Sequence, residues 1–203
     1  SDSSGNAADQ KTRTIVVSDT TKPIITITGG DIDHEQGTSY TDLGATALDN
    51  IDGDITSSIT VESDVDSDTA GTYTVVYSVS DSSGNAADQK TRTIVVSDTT
   101  KPLIALSGDA ELSLERGTVY TDAGATALDN IDGDITSSIV TANNVDIYTV
   151  GTYSVTYNVS DAAGNAADEV TRTVNITPDV TKPVITLSGD AELSLERGTV
   201  YTD

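Results

Sequence analysis

The chain has 203 residues, a net charge of −23 and 26 Asp against 7 Glu, a balance that excludes nucleic acid and anionic lipid as partners and calls for cations. It has no Cys, which rules out disulfides, thiolate metal sites and thiol nucleophiles. Phe, Trp and Met are also absent, so eight Tyr are the only aromatics and the core of any unit is thin.

Three long segments recur. Ser1–Pro23 reappears unchanged at Ser80–Pro102, Ala45–Ile59 at Ala125–Ile139, and Leu106–Asp122 at Leu187–Asp203. A fixed period of this kind means one structural unit copied in tandem. The preference for Asp over Glu places the acid in turns, because the short Asp side chain bonds its own nearby backbone.

In chain order, Ser1–Val17 reads as the last strands of a unit whose earlier part is missing. Lys22–Pro23 then opens a unit, followed by an inward pair, Ile25 and Ile27. Tyr40–Asn50 and Ile55–Glu62 are extended, and an acidic link leads to Gly71. The clearest strand is Tyr73–Ser80, with Tyr73, Val75, Tyr77 and Val79 on one face. Thr91–Ser97 follows with Ile94 and Val96 inward. The second unit repeats these signals from Lys101–Pro102: Ile104 and Leu106, then Leu112 and Leu114, then Tyr153, Val155, Tyr157 and Val159, then Val174 and Ile176. Lys182–Pro183 starts a third unit, with Ile185 and Leu187 as its inward pair. Six or seven short strands per unit, turn signals throughout and no helical pattern predict an all-β fold: tandem immunoglobulin-like β-sandwich domains in an elongated array.

The string Gly-Thr-x-Tyr-x-Asp-x-Gly-Ala-Thr-Ala-x-Asp, then Asp-Gly-Asp-Ile-Thr, then Gly-Thr-Tyr-x-Val-x-Tyr-x-Val-Ser-Asp-x-x-Gly-Asn-Ala resembles the bacterial immunoglobulin-like repeats of large surface proteins. These are of the type noted in pesticidal crystal proteins and related to hyalin-type repeats. The resemblance covers the whole chain. It implies extracellular tandem arrays, stalks of adhesins often stabilised by calcium, and no catalytic activity.

On that fold, three segments converge at the end where the chain enters each unit. At the first junction they bring Asp19, the loop with Asp49, Asp52 and Asp54, and the loop with Asp81 and Asn85. At the second they bring Asp98, then Asp129, Asp132 and Asp134, then Asp161 and Asn165. Calcium takes six to eight oxygens from such groups, and Gly53 permits the tight turn. The competing reading is that Asp-Gly and Gly-Asn are turn dipeptides chosen for backbone reasons, with solvated acid. Carboxylates gathered at one end repel each other without a cation, which favours Ca2+.

The other signals are bland. The group Asp64, Asp66 and Asp68 is not reproduced in the copy, which has Asn143, Asn144 and Asp146, and it reads as a solvated loop. His34 is a surface residue, and the inward Tyr residues read as core or tyrosine corner. Lys22, Lys101 and Lys182 lie in linkers, outside any core that would support an isopeptide bond. Paired carboxylates without a cleft or stacking aromatics do not make a glycosidase, so the chain is read as not an enzyme.

The domain expectation is residues 1–19 as the end of a preceding repeat, 20–99 and 100–180 as full repeats, and 181–203 as the start of a following one. The chain reads as a window of a longer protein, its ends ordered by neighbouring repeats of the same chain or of adjacent chains. No segment approaches the ~18 apolar residues of a membrane span. The expected function is an extracellular, cell-surface extender of a bacterial adhesin or fibre, stiffened by calcium at its junctions, with any host or surface ligand carried elsewhere. The alternative is a glycan- or protein-binding module, or a filament subunit.

Overall fold

The structure, a computed structural model, describes residues 2–189 and 191–202. Ser1, Asp190 and Asp203, which belong to the expected terminal fragments, lie outside the described residues. Seven strands form the first copy: β1 Ile24–Ile27, β2 Ile32–Glu35, β3 Ala45–Asp49, β4 Gly53–Asp54, β5 Thr60–Ser63, β6 Gly71–Ser78 and β7 Lys90–Ser97. Seven more follow: β8 Leu103–Leu106, β9 Glu111–Glu115, β10 Ala125–Asp129, β11 Gly133–Asp134, β12 Val140–Asn143, β13 Gly151–Asn158 and β14 Val170–Thr177. The fold is all-β, as the alternation predicts; the helical content among the described residues is a 3-10 turn at Thr56–Ser58 and its copy at Thr136–Ser138.

Each copy is a two-sheet sandwich. In the first, β1-β3-β4 faces β2-β7-β6-β5, and the second repeats the order as β8-β10-β11 and β9-β14-β13-β12. Pairing within the first copy is antiparallel except between β2 and β7, which run parallel with Ile32 opposite Ile94 and Glu35 opposite Ser97. By internal contact the chain divides into two units. One comprises the residues up to Leu103 with Ala127–Ser138 and Val159–Asp168, and the other comprises Ile104–Thr126, Ile139–Asn158 and the residues from Glu169 onward.

Period-two alternation produces the core. Val75, Tyr77 and Val79 from β6 and its continuation, Ile94 and Val96 from β7, Ile25 from β1 and Ala47 from β3 form one buried cluster. Tyr73 is half-buried, and its hydroxyl donates 2.8 Å back to the Thr69 carbonyl, as Tyr153 does to Thr149. This is the tyrosine-corner arrangement.

Sequence reading missed the centre of the sandwich. Arg92, in phase with Ile94 and Val96, is buried with its guanidinium beside Asp42. It also donates to the carbonyls of Gly30 (3.2 Å), Gly44 (3.2 Å) and Thr28. Asp42 accepts in turn from the Tyr77 hydroxyl at 2.7 Å and the Gly44 amide at 3.0 Å. Burial first, then Asp42, pushes the Tyr77 hydroxyl pKa up. Arg172, Asp122 and Tyr157 repeat the arrangement. A buried charge is tolerated only when its hydrogen bonds are satisfied, and these are. The same network shortens a predicted strand. Tyr40–Asn50 narrows to β3: Asp42 turns its carboxylate to the guanidinium and the Gly44 amide, and the Gly44 carbonyl is shared between the guanidinium and the Thr28 amide.

Among the described residues the terminal segments carry no strand. Ile15, Val16 and Val17 are exposed, and so are Ile185 (88%) and Leu187 (65%), which the sequence pairs inward. Neither segment has in this chain the strands its copy pairs with. Among the described residues no helix is long and apolar enough to cross a membrane.

Candidate metal centre

Three chain segments bring three carboxylates together at each linker. Asp19, Asp49 and Asp81 form one group and Asp98, Asp129 and Asp161 the other, with one oxygen from each residue within 4.8 Å of the others. Asp49 ends β3, Asp81 opens the loop between β6 and β7, and Asp19 lies in the linker.

Local turn chemistry aims the side chains. Asp49 Oδ1 accepts the amides of Ile51 (2.8 Å) and Asp52 (2.9 Å), which leaves Oδ2 buried and without a partner. Asp129 does the same with Ile131 and Asp132, and its Oδ2 is likewise unpartnered. Asp19 Oδ1 takes the Thr21 amide at 3.0 Å, and its Oδ2 is the third orphan. Asp81 Oδ1 accepts the Asn85 amide and Oδ2 the Asn85 side chain; Asp161 and Asn165 match them. Asp49 is 5% exposed and Asp129 is 6% exposed.

Buried acceptors that nothing satisfies are costly, and three carboxylates at this separation compound the cost. The charges respond accordingly. Burial, with Asp129 and Asp161 adding their charges, pushes Asp98 above the usual carboxylate range even though the Thr100 amide pulls it down. The amides of Asp52 and Ile51 hold Asp49 below that range. At Asp161 burial pushes upward, and the Asn165 side chain and amide overcome it. The donor set is carboxylate oxygen alone, the chemistry of a hard divalent cation. The orphaned oxygens fit such an ion.

The remaining sequence candidates brace the loops. Asp52 binds Ser82 through the amide (2.7 Å) and hydroxyl (2.8 Å), tying one loop to the other. Asp132 accepts the Ala162 amide at 2.7 Å. Asp54 and Asp134 accept the amides of Thr56 and Thr136 and start the 3-10 turns. Asn85 and Asn165 donate to the linker carbonyls of Asp19 (3.3 Å) and Asp98 (3.2 Å) as well as to Asp81 and Asp161. Lys22 and Lys101 reach Asp88 and Asp168 on the surface, where ion pairs contribute little. His34 Nε2 lies 3.0 Å from the Thr38 carbonyl, with the ring edge-on to Tyr40.

One participant escaped sequence reasoning. Glu35, the last residue of β2, accepts hydrogen bonds from the amides and hydroxyls of both Thr99 and Thr100 in the second linker. Those hydroxyls, Thr100 first, hold its carboxyl at about 2.

Comparison with known proteins fits this architecture. Residues 25–96 and 104–176 each match the family described as the Ig-like domain of bacterial surface proteins. Over 138 residues the chain is 34% identical to the pesticidal crystal protein Cry22Aa of Bacillus thuringiensis, covering 64% of this chain and 18% of that protein. Over 218 residues it is 34% identical to hyalin of Strongylocentrotus purpuratus, covering 99% of this chain and again 18% of the relative. The chain therefore spans under a fifth of the length of either. A solved structure of the M60 catalytic domain with the CBM51-1 and CBM51-2 domains of Clostridium perfringens ZmpB shares the fold at a TM-score of 0.50 and 14% identity, over 77% of this chain and 31% of that one. Two sandwiches of this topology and two matches spanning most of the sequence place the chain in the bacterial surface-protein Ig-like domain family.

Proposed function

We propose that this chain is a run of structural repeats, 20–99 and 100–180 with flanking parts at 1–19 and 181–203, in an extracellular bacterial surface protein such as an adhesin or fibre. Its work is mechanical spacing, without catalysis. A calcium ion held by Asp19, Asp49 and Asp81, and another held by Asp98, Asp129 and Asp161, would tie each linker to the loops of the repeat that follows. The observation that carries this reading is the set of buried, unpartnered oxygens on Asp19, Asp49 and Asp129 within two like-built carboxylate groups. When bound, the ion supplies positive charge that offsets the repulsion. Asp52, Asn85 and their copies keep the loops in place, with water and backbone carbonyls completing the shell. Neighbouring repeats, of this chain or of adjacent chains, are the natural partners.

Thermal unfolding with and without EDTA tests this. Extracellular calcium modules bind at about 10⁻⁴–10⁻³ M. At tenfold excess over the dissociation constant each site adds about 1.4 kcal/mol. Chelation is expected to lower Tm and to increase the maximum dimension spread in small-angle scattering of a multi-repeat chain. Unchanged values in both would sink the calcium reading.

A further inference from the structure

The second linker is also gripped by the repeat that precedes it. The turn Glu35–Thr38 that closes β2 is itself pinned: the Gln36 amide donates to Ser97, Gly37 to Ser67 and Thr38 to Glu35. From this fixed turn the Glu35 carboxylate receives the Thr99 hydroxyl at 2.5 Å and the Thr100 hydroxyl at 2.6 Å, with both amides at 3.1–3.2 Å. Thr99 and Thr100 directly follow Asp98. Two residues along, Gly37 leaves space for the Asp129–Asp134 loop of the next repeat. A Cβ at Gly37, where φ is +76°, would lie 2.9 Å from Ile131 Cδ1. Ile131 is half-buried there, whereas Ile51, the same residue in the identical first loop, is 68% exposed.

We propose that the Glu35–Gly37 turn is a receptor for the following repeat: Glu35 latches the linker, Gly37 seats Ile131, and together they preposition Asp98 against Asp129 and Asp161 before any ion arrives. Glu35 is thus a positioning residue for the cation group and not one of its ligands. The same turn recurs as Glu115-Arg116-Gly117, where Glu115 already accepts the Thr181 hydroxyl at 2.6 Å. The ligand part of this inference rests on the calcium reading above; the latch does not.

The experiment uses the full chain. With EDTA present, amide hydrogen exchange of Thr99 is read by NMR in the wild type, Glu35→Ala and Glu35→Gln, because the Thr100 amide also donates to Asp98 Oδ1 at 3.1 Å. Protection is expected in the wild type without metal, lost in Glu35→Ala and partly kept in Glu35→Gln, whose side-chain oxygen still accepts. A purely electrostatic contribution would make the two variants alike, which would overturn the latch, as would undiminished protection in Glu35→Ala. Calcium titration in an Asp19→Asn background then reads the Asp98 group alone, where Glu35→Ala is expected to raise Kd about tenfold, the scale of lost outer-shell support. An unchanged Kd would overturn the prepositioning claim. If the wild type binds no calcium at all, the proposed function fails while the exchange data still decide the latch.

Discussion

Residues 11–18 and 90–97 have the same sequence and opposite fates. In β7 the segment lies between β2 and β6, with Ile94 and Val96 buried. In the first copy it forms no strand, and Ile15 and Val17 are 76% and 91% exposed. Residues 2–6, a little earlier in the chain, behave differently. Asp2 accepts the Ser4 and Asn6 amides and the Asn6 side chain, as Asp81 does with Asn85. The Asp-x-x-Gly-Asn loop therefore closes on local hydrogen bonds alone, while the strand needs partners. Turn geometry is written in a handful of residues; strand pairing belongs to the assembled sheet.

Substituting the same residue in both copies should break this comparison most sharply. Arg92→Ala leaves the half-buried Asp42 without its countercharge and three carbonyls without their donor, so a loss of about 3–5 kcal/mol is expected in denaturant unfolding. Arg13→Ala, on an exposed residue, should fall within about 0.5 kcal/mol. Ile94→Ala is expected to cost about 2–5 kcal/mol and Ile15→Ala nothing measurable, by the same assay. Equal effects in either pair would mean that the terminal copy is packed in solution. Calorimetric titration sharpens the point at the cation group. Asp81→Asn should remove one calcium equivalent and Asp2→Asn none, since Asp2 has the loop without Asp19 or Asp49 beside it. The smallest effect is a pH dependence. The Glu35 carboxyl is lowered in the fold from 4.5 to about 2, so its contribution is full above about pH 4.5 and is lost as pH falls through about 2. Thr99 amide protection, taken relative to the intrinsic exchange rate at each pH, should fall over that window in the wild type and not in Glu35→Gln.

The inward faces were legible because alternation carries them: Val75, Tyr77, Ile94 and Val96 stand where period two puts them. Arg92 obeys the same period, but its charge hid it, and nothing short of the fold shows that Asp42 waits opposite, 50 residues away. The convergence of Asp19, Asp49 and Asp81 followed from knowing which loops share an end of a sandwich. The division of labour within those loops did not. Asp52 and Asp54 are carboxylates of the same loop as Asp49, but amides occupy them, a matter of where each N–H points. Glu35 was invisible because its partners lie 64 and 65 residues on, in a linker with no pattern of its own.

The parallel pairing of β2 with β7 has a consequence for load. β2 lies near the start of the repeat and β7 at its end, so a pull through the two linkers drags these neighbours in opposite directions. The bonds joining Ile32–Glu35 to Ile94–Ser97 then lie across the force rather than along it. They share the tension and must give way together instead of unzipping one by one.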